Sequence, residues 1–353
     1  LVVRNAEVKE GENIMSTNQK VNKQYFNQVM QSSNDNVEYY KAIDWNRVEE
    51  DVDKATWEKL VEQFWTDTRI PVSQDLPDWR NMTQVEKDVF NRAFVGLTLL
   101  DTLQSEEGNK SLLENARTQH EKAVITNIMF MESMHAKSYS TIFQSLNTTR
   151  EIDEIFEWGN NNELLQKKAR IINDVYQNGE SWQKKIASVF LESFLFYSGF
   201  YTPLYWLGHN KMPNSAEVIK LILRDEAVHG TYIGYKLQLA YNEMSEDKQQ
   251  EVQSWLYSFL MELYENEVEY TKTIYSEIGW VQEVTTFIKY NANKALQNLG
   301  FPSLFENADV EDVNPVVING LSTSTTTHDF FSAVGNGYKM GEAEAMEEDD
   351  YDF

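Results

Sequence analysis

At 353 residues the chain has room for one large domain or two, and its 41% apolar and 25% charged content is that of an ordinary globular protein. A net charge of −25 argues against a nucleic-acid surface, which needs clustered lysine and arginine. The absence of cysteine excludes disulfides, thiol chemistry and thiolate zinc clusters, and fits a cytoplasmic location.

Residues 1–20 carry charges on both sides of their few apolar positions, so no signal peptide is expected, and Met15-Ser16-Thr17 reads as an ordinary start. That leaves 1–14 as an extension or a misassigned start. Residues 1–38 are polar and aperiodic and are expected to be a mobile extension to a helical body over 39–305. A helical pattern at 53–65 ends before Thr66-Asp67-Thr68. The first long helix is expected over 82–108, opened by a capping box of Thr83 and Glu86 and closed by Gly108. Asp101 lies in its last turns among Leu97, Leu99, Leu100 and Leu103.

A second capping box, Thr118 and Glu121, opens a helix that runs through Glu132, His135 and Tyr139 to about Leu146. A shorter helical pair follows at 152–158 and 164–176. Ser181 is read as the cap of an apolar helix that carries Glu192 and stops near Gly208. Further helices are expected over 216–242, with Glu226 and His229, and over 248–278 and 281–299, from their 3.6-residue pattern. Neither alternating strands nor a glycine-rich phosphate loop is present, so the body is all-α.

Residues 186–207 reach the length of a membrane span with Glu192 as their single charge. Ser188, Ser193, Ser198, Gly199, Thr202 and Pro203 argue against a span, and no second segment resembles it. A helix apolar all round is also what the centre of a bundle requires, so we read it as buried. An ionised Glu192 there needs a cation or a basic partner.

Of five histidines, His135 and His229 alone have a glutamate three residues earlier. In a helix Glu132, His135 and Tyr139 share one face, as do Glu226 and His229. One Glu-x-x-His pair is common on solvated helices. Two pairs, each preceded by a carboxylate on an earlier helix (Asp101 and Glu192), describe the ferritin-like arrangement that holds two iron or manganese ions inside a four-helix bundle. After Phe301-Pro302 the pattern fades, and 306–353 is expected to be a flexible tail. Residues 341–353 hold seven acids and no base, yet end in Tyr351-Asp352-Phe353, which suits a peptide that docks into another protein.

Several longer motifs occur together: Leu99-Leu100-Asp101-Thr102, Phe130-Met131-Glu132 through Tyr139-Ser140, and residues 184–194 around Glu192. Downstream come residues 224–230 with Asp225, Glu226 and His229, then 290–296 and Asp329-Phe330-Phe331. On these the chain resembles the radical-generating small subunit of class I ribonucleotide reductase, most closely its class Ib branch, from about Ala42 to Phe353.

The resemblance implies Asp101, Glu132 and His135 as ligands of one metal and Glu192, Glu226 and His229 as ligands of the other. It implies Tyr139 as the radical tyrosine, with Phe196, Phe200 and Ile222 forming an apolar pocket around it. Trp65, Asp225 and Tyr338 match a route that carries the radical outward from His135. The implied cofactor is two manganese ions in the cell, with two iron ions also able to load. The implied partners are a second copy of the chain, a large subunit reached through the C-terminal tail, and a small flavodoxin-like protein that supplies an oxidant. The family's chemistry needs cysteines at the ribonucleotide, which this chain lacks. Two rival readings are a ferritin-like oxidase acting directly on a small molecule and a metal-storage bundle.

Overall fold

A computed structural model of the chain describes residues 41–321. The helices, in order, are α1 (Asp51–Glu62), α2 (Leu76–Asn81), α3 (Gln84–Leu103), α4 (Asn109–Glu114), α5 (Gln119–Leu146), α6 (Thr149–Asn161) and α7 (Glu163–Asn178). They continue as α8 (Ser181–Phe190), α9 (Tyr197–Gly208), α10 (Pro213–Asn242), α11 (Glu246–Tyr275), α12 (Val281–Leu299), α13 (Asn307–Val310) and α14 (Pro315–Leu321). Among the described residues there is no strand.

Two antiparallel pairings organise the core. α3 lies along α5, and α8 lies along α10; α9 then packs on α3, and α5 meets α10 across the middle. The apolar stripes that drive this are continuous. Val89, Phe90, Phe94 and Leu97 on α3 and Ile128, Ile142 and Phe143 on α5 are all buried, as are Ile219, Ile222 and Ile233 on α10. Each fully buried side chain of this size contributes roughly 1.5–3 kcal/mol.

Local chemistry sets the helix ends. The capping box at Thr83 and Glu86 closes reciprocally, and a second one forms at Thr148 and Glu151. At the start of α5 only half of the expected box is present. Thr118 accepts from the Glu121 amide, but the Glu121 carboxylate turns to the amide of Arg117 instead. Ser181 is the first residue of α8, and Glu180, paired with Gln183, is its cap. α10 starts on Pro213 and is capped by a distant residue: Asp75 accepts the amides of Asn214 at 3.1 Å and Ser215 at 2.6 Å. α12 stops at Gly300, whose φ of +82° lets the Phe301 amide turn back to the Leu296 carbonyl.

Two long helices are interrupted where the sequence showed only a continuous pattern. α3 passes into a π-helical turn at Gln104–Gly108 and resumes as α4, so Gly108 does not end it. The segment expected over 186–207 has a π-turn at Leu191–Leu195, with the Phe196 amide reaching the Leu191 carbonyl. Every residue from 186 to 196 is buried. No described helix is long and apolar enough to cross a membrane.

α1 ends at Glu62, so Trp65 stands in the loop beyond it. Past Pro302, where apolar periodicity fades, α13 and α14 still form, and Val317 and Leu321 of α14 bury against the body, which α14 meets along α9. The expected mobile extension over 1–38, Tyr338 and the acidic docking peptide 341–353 lie outside the described residues.

Candidate metal centre

α3, α5, the π-turn after α8, and α10 each point carboxylates at one place in the core. Two overlapping groups of donors result. Asp101, Glu132, His135 and Glu226 form one, and Glu132, Glu192, Glu226 and His229 form the other, with the donor atoms of each within 4.8 Å of one another. Glu132 and Glu226 belong to both. Glu132 Oε1 lies 2.8 Å from His229 Nδ1 while its Oε2 lies 3.5 Å from His135 Nδ1. Glu226 mirrors it, with Oε1 3.0 Å from His135 Nδ1 and Oε2 3.7 Å from His229 Nδ1. The sequence spacing split the six residues three and three; the tertiary arrangement makes two of the glutamates span both positions.

All six side chains are buried, and no lysine or arginine among the described residues pairs with the four carboxylates. Taking an ionised carboxylate out of water costs several kcal/mol unless something compensates. Without cations the cluster must take up protons. Burial, reinforced by the charge of Glu132, raises Asp101 and Glu192 well above the usual carboxylate range. Burial pulls the two imidazoles down, but the surrounding carboxylates outweigh it and hold both well above 6.5. Both oxygens of Asp101, Glu132 and Glu226, Oε2 of Glu192 and Nδ1 of both histidines have no hydrogen-bond partner. Two divalent cations would neutralise four carboxylates and use these orphaned atoms. The donor set therefore fits a dinuclear centre, and its oxygen-rich composition with one imidazole per metal suits iron or manganese.

The flanking residues differ between the two halves. His135 Nε2 lies 3.3 Å from Asp225 Oδ2, which leaves Nδ1 facing the cluster. That is the usual way a carboxylate sets the tautomer and tilt of a ligating imidazole. The Trp65 indole donates to the same Asp225 oxygen at 2.6 Å, and its ring stacks against His135 at 6.0 Å between centroids. Gln63 donates to Asp225 Oδ1 at 3.3 Å, and Arg224 lies 3.4 Å from it. His229 has no such support on Nε2. The Tyr139 hydroxyl is fully buried without a hydrogen-bond partner, and Phe94 meets its ring edge-on at 5.7 Å. Burial first, then the charges of Asp101, Glu226 and Glu132, keep this phenol protonated well above its usual range.

Phe196, Phe200 and Ile222 are fully buried. Three residues at the site carry no signal in the sequence: Gln63, Gln104 and Tyr176 reach it only through contacts between distant segments. Glu192 Oε1 is one case, held by Gln104 and approached by Ser188 at 3.4 Å.

The family model "Ribonucleotide reductase, small chain" matches residues 42–315. The chain belongs to the ribonucleotide reductase small-chain family. It is 48% identical over 318 residues to the ribonucleoside-diphosphate reductase subunit beta of Mycobacterium leprae, covering 90% of this chain and 98% of that one. With the ribonucleoside-diphosphate reductase 2 subunit beta of Escherichia coli K12 it shares 47% identity over 313 residues. The crystal structure of the dimanganese(II) NrdF of Streptococcus sanguinis superposes with a TM-score of 0.79 at 63% identity, covering 80% of this chain and all of that one. This small chain is thus of the NrdF, class Ib, type, a ferritin-like bundle with a dinuclear metal site. It is the radical-generating subunit of ribonucleoside-diphosphate reductase, which works with a large subunit.

Proposed function

We propose that Asp101, Glu132, His135, Glu192, Glu226 and His229 would hold the two metals, Glu132 and Glu226 being the two whose oxygens face both histidines. In this reading Tyr139 carries the radical, and His135, Asp225, Trp65 and Tyr338 pass it toward the large subunit. One observation carries the reading: six unbalanced donors and an unpartnered phenol share one buried core. When bound, the metals supply the oxidising power that side chains lack. Because Tyr139 is held protonated, its electron and its Oη proton leave together. Phe94, Phe196, Phe200 and Ile222 keep water and reductants from the radical so formed.

Asp225 is suited to the first outward step. Its Oδ2 faces both the imidazole Nε2 and the indole Nε1. An indole oxidised on the way can therefore give its proton to Asp225 without any heavy atom moving. Beyond Trp65 the route continues to Tyr338 in the tail. The acidic peptide 341–353 is the docking element for the large subunit.

The small chain works as a homodimer in the cytoplasm, with manganese as the cellular metal, iron as a substitute, and a flavodoxin-like protein as the source of oxidant. The 63% identity to a protein crystallised with dimanganese(II) supports the choice of manganese. Affinity alone does not decide it, because both metals accept this donor set. The test is metal analysis and EPR on protein from its native host, with ribonucleotide reduction assayed beside the large subunit. A tyrosyl signal that tracks manganese content is expected; full activity with iron alone would overturn the manganese assignment.

A further inference from the structure

The hydrogen bonding of Glu192 differs from that of the other three carboxylates in the cluster. Asp101, Glu132 and Glu226 have both oxygens free, whereas Glu192 has Oε2 free and Oε1 engaged by the Gln104 amide nitrogen. Gln104 also donates to Ser188 at 2.9 Å and accepts the Tyr176 hydroxyl at 2.6 Å. All four side chains are buried. The Glu192 carboxylate settles which way the amide points, and the Tyr176 hydroxyl then donates to the amide oxygen. Turned over, the amide would set its oxygen against a carboxylate oxygen and lose both donations.

The backbone supports this arrangement. Gln104 opens the π-turn that follows Asp101 by one helical turn, and such turns recur at functional sites. The Asn109 side chain donates to the Gln104 carbonyl at 3.2 Å. Gly108 closes the same turn, and a Cβ there would sit 2.2 Å from Gln104 Oε1 and 2.9 Å from the Tyr176 ring. Glycine is thus what leaves space for the amide and the phenol to meet.

We propose that Gln104, oriented by Glu192 and Tyr176 and given room by Gly108, is a positioning residue that holds Glu192 Oε1 and so presents Oε2 to the metal position beside His229. With Oε1 tethered, Oε2 stays toward His229 Nδ1, 3.2 Å away. α3 and the π-turn that continues it would then serve both metal positions, one directly through Asp101 and the other through Gln104. The proposal rests on Glu192 being a ligand.

The test uses the full chain, stripped of metal and titrated with manganese, with free Mn(II) followed by EPR and the bound pair by its exchange-coupled spectrum. Gln104→Met keeps length and removes the donor. It should weaken one of the two binding steps about 10–100-fold, as loss of a ligand's supporting hydrogen bond does, and leave the other within threefold or so. The coupled spectrum should also change. Tyr176→Phe and Gly108→Ala, which disturb the amide without touching Glu192, should shift the same step in the same direction by a smaller factor. A purely structural role would lower the melting temperature of the metal-free chain and leave both binding steps and the spectrum alone. That result, or two unaltered steps in all three variants, overturns the proposal. If Gln104→Met does not fold, Tyr176→Phe decides on the same criteria. Glu192→Ala separates this from the underlying reading: if it still binds two manganese ions normally, Glu192 is not a ligand and the reading itself fails.

Discussion

The indole of Trp65 and the carboxylate of Asp225 meet at 2.6 Å across 160 residues of sequence, and the same carboxylate oxygen lies 3.3 Å from His135. This contact joins the loop after α1 to the helix that carries Glu226 and His229. It is a path of hydrogen-bonding groups from the cluster to Trp65. Replacing Trp65 with Phe keeps the ring and removes the donor. The radical proposed for Tyr139 should still form, while ribonucleotide reduction with the large subunit falls by at least about 100-fold, the scale of loss for a misplaced reacting group. EPR and a turnover assay on one preparation check this; turnover near the wild-type rate would remove Trp65 from the route.

Tyr139→Phe deletes a hydroxyl with no partner. No hydrogen bond is lost, so thermal stability should be unchanged or slightly raised. Both metals should remain, and the radical signal and ribonucleotide reduction should disappear. A persistent radical would show that another tyrosine carries it.

Asp75 caps α10 through two backbone amides and the side chains of Asn214 and Ser215. A carboxylate at a helix N-terminus also meets the positive end of the dipole. Asp75→Ala should cost about 2–3 kcal/mol in urea unfolding, as charged hydrogen bonds do, and leave the metal stoichiometry at two. A loss of metal without a loss of stability would contradict the capping role.

Removing the metals should destabilise the fold itself, because the four carboxylates then face one another unbalanced. Binding that favours the folded state adds about 2.7 kcal/mol at a free metal concentration one hundred times the dissociation constant. Calorimetry before and after chelation should show a melting point that falls and is restored by manganese or iron. A melting point indifferent to both ions would argue against a core site.

Lys168 and Glu267 form a buried ion pair at 2.6 Å, with the ammonium 3.7 Å from the centroid of the Tyr270 ring. Lys168→Met alone strands Glu267 and should cost about 3–5 kcal/mol, whereas the double replacement Lys168→Met with Glu267→Leu should recover most of it. Burial lowers the Lys168 pKa below 10.5, against the pull of Glu267. The unfolded chain then binds more protons than the folded one as pH approaches 10.5. Stability contributed by this group therefore rises with pH in that window and is lowest below the folded pKa. Urea midpoints of wild type and double variant across mildly alkaline pH measure that slope.

Local patterns were legible because a helix repeats every 3.6 residues whatever surrounds it. Glu132, His135 and Tyr139 share a face for that reason, and the Thr83–Glu86 cap follows from four residues alone. The two π-turns were not legible, because an apolar helix with one extra residue in a turn has nearly the same composition as one without. At Thr118 the expected box opened on one side because Arg117 offered its amide to Glu121.

By itself the sequence determined an all-α body and two Glu-x-x-His faces, each with a carboxylate on an earlier helix, because those depend on neighbours along the chain. The tertiary structure alone decided that Glu132 and Glu226 reach both histidines, that Asp225 stands between His135 and Trp65, and that Gln104 holds one oxygen of Glu192. Those contacts join segments tens of residues apart or more, and their geometry comes from how the helices pack against one another.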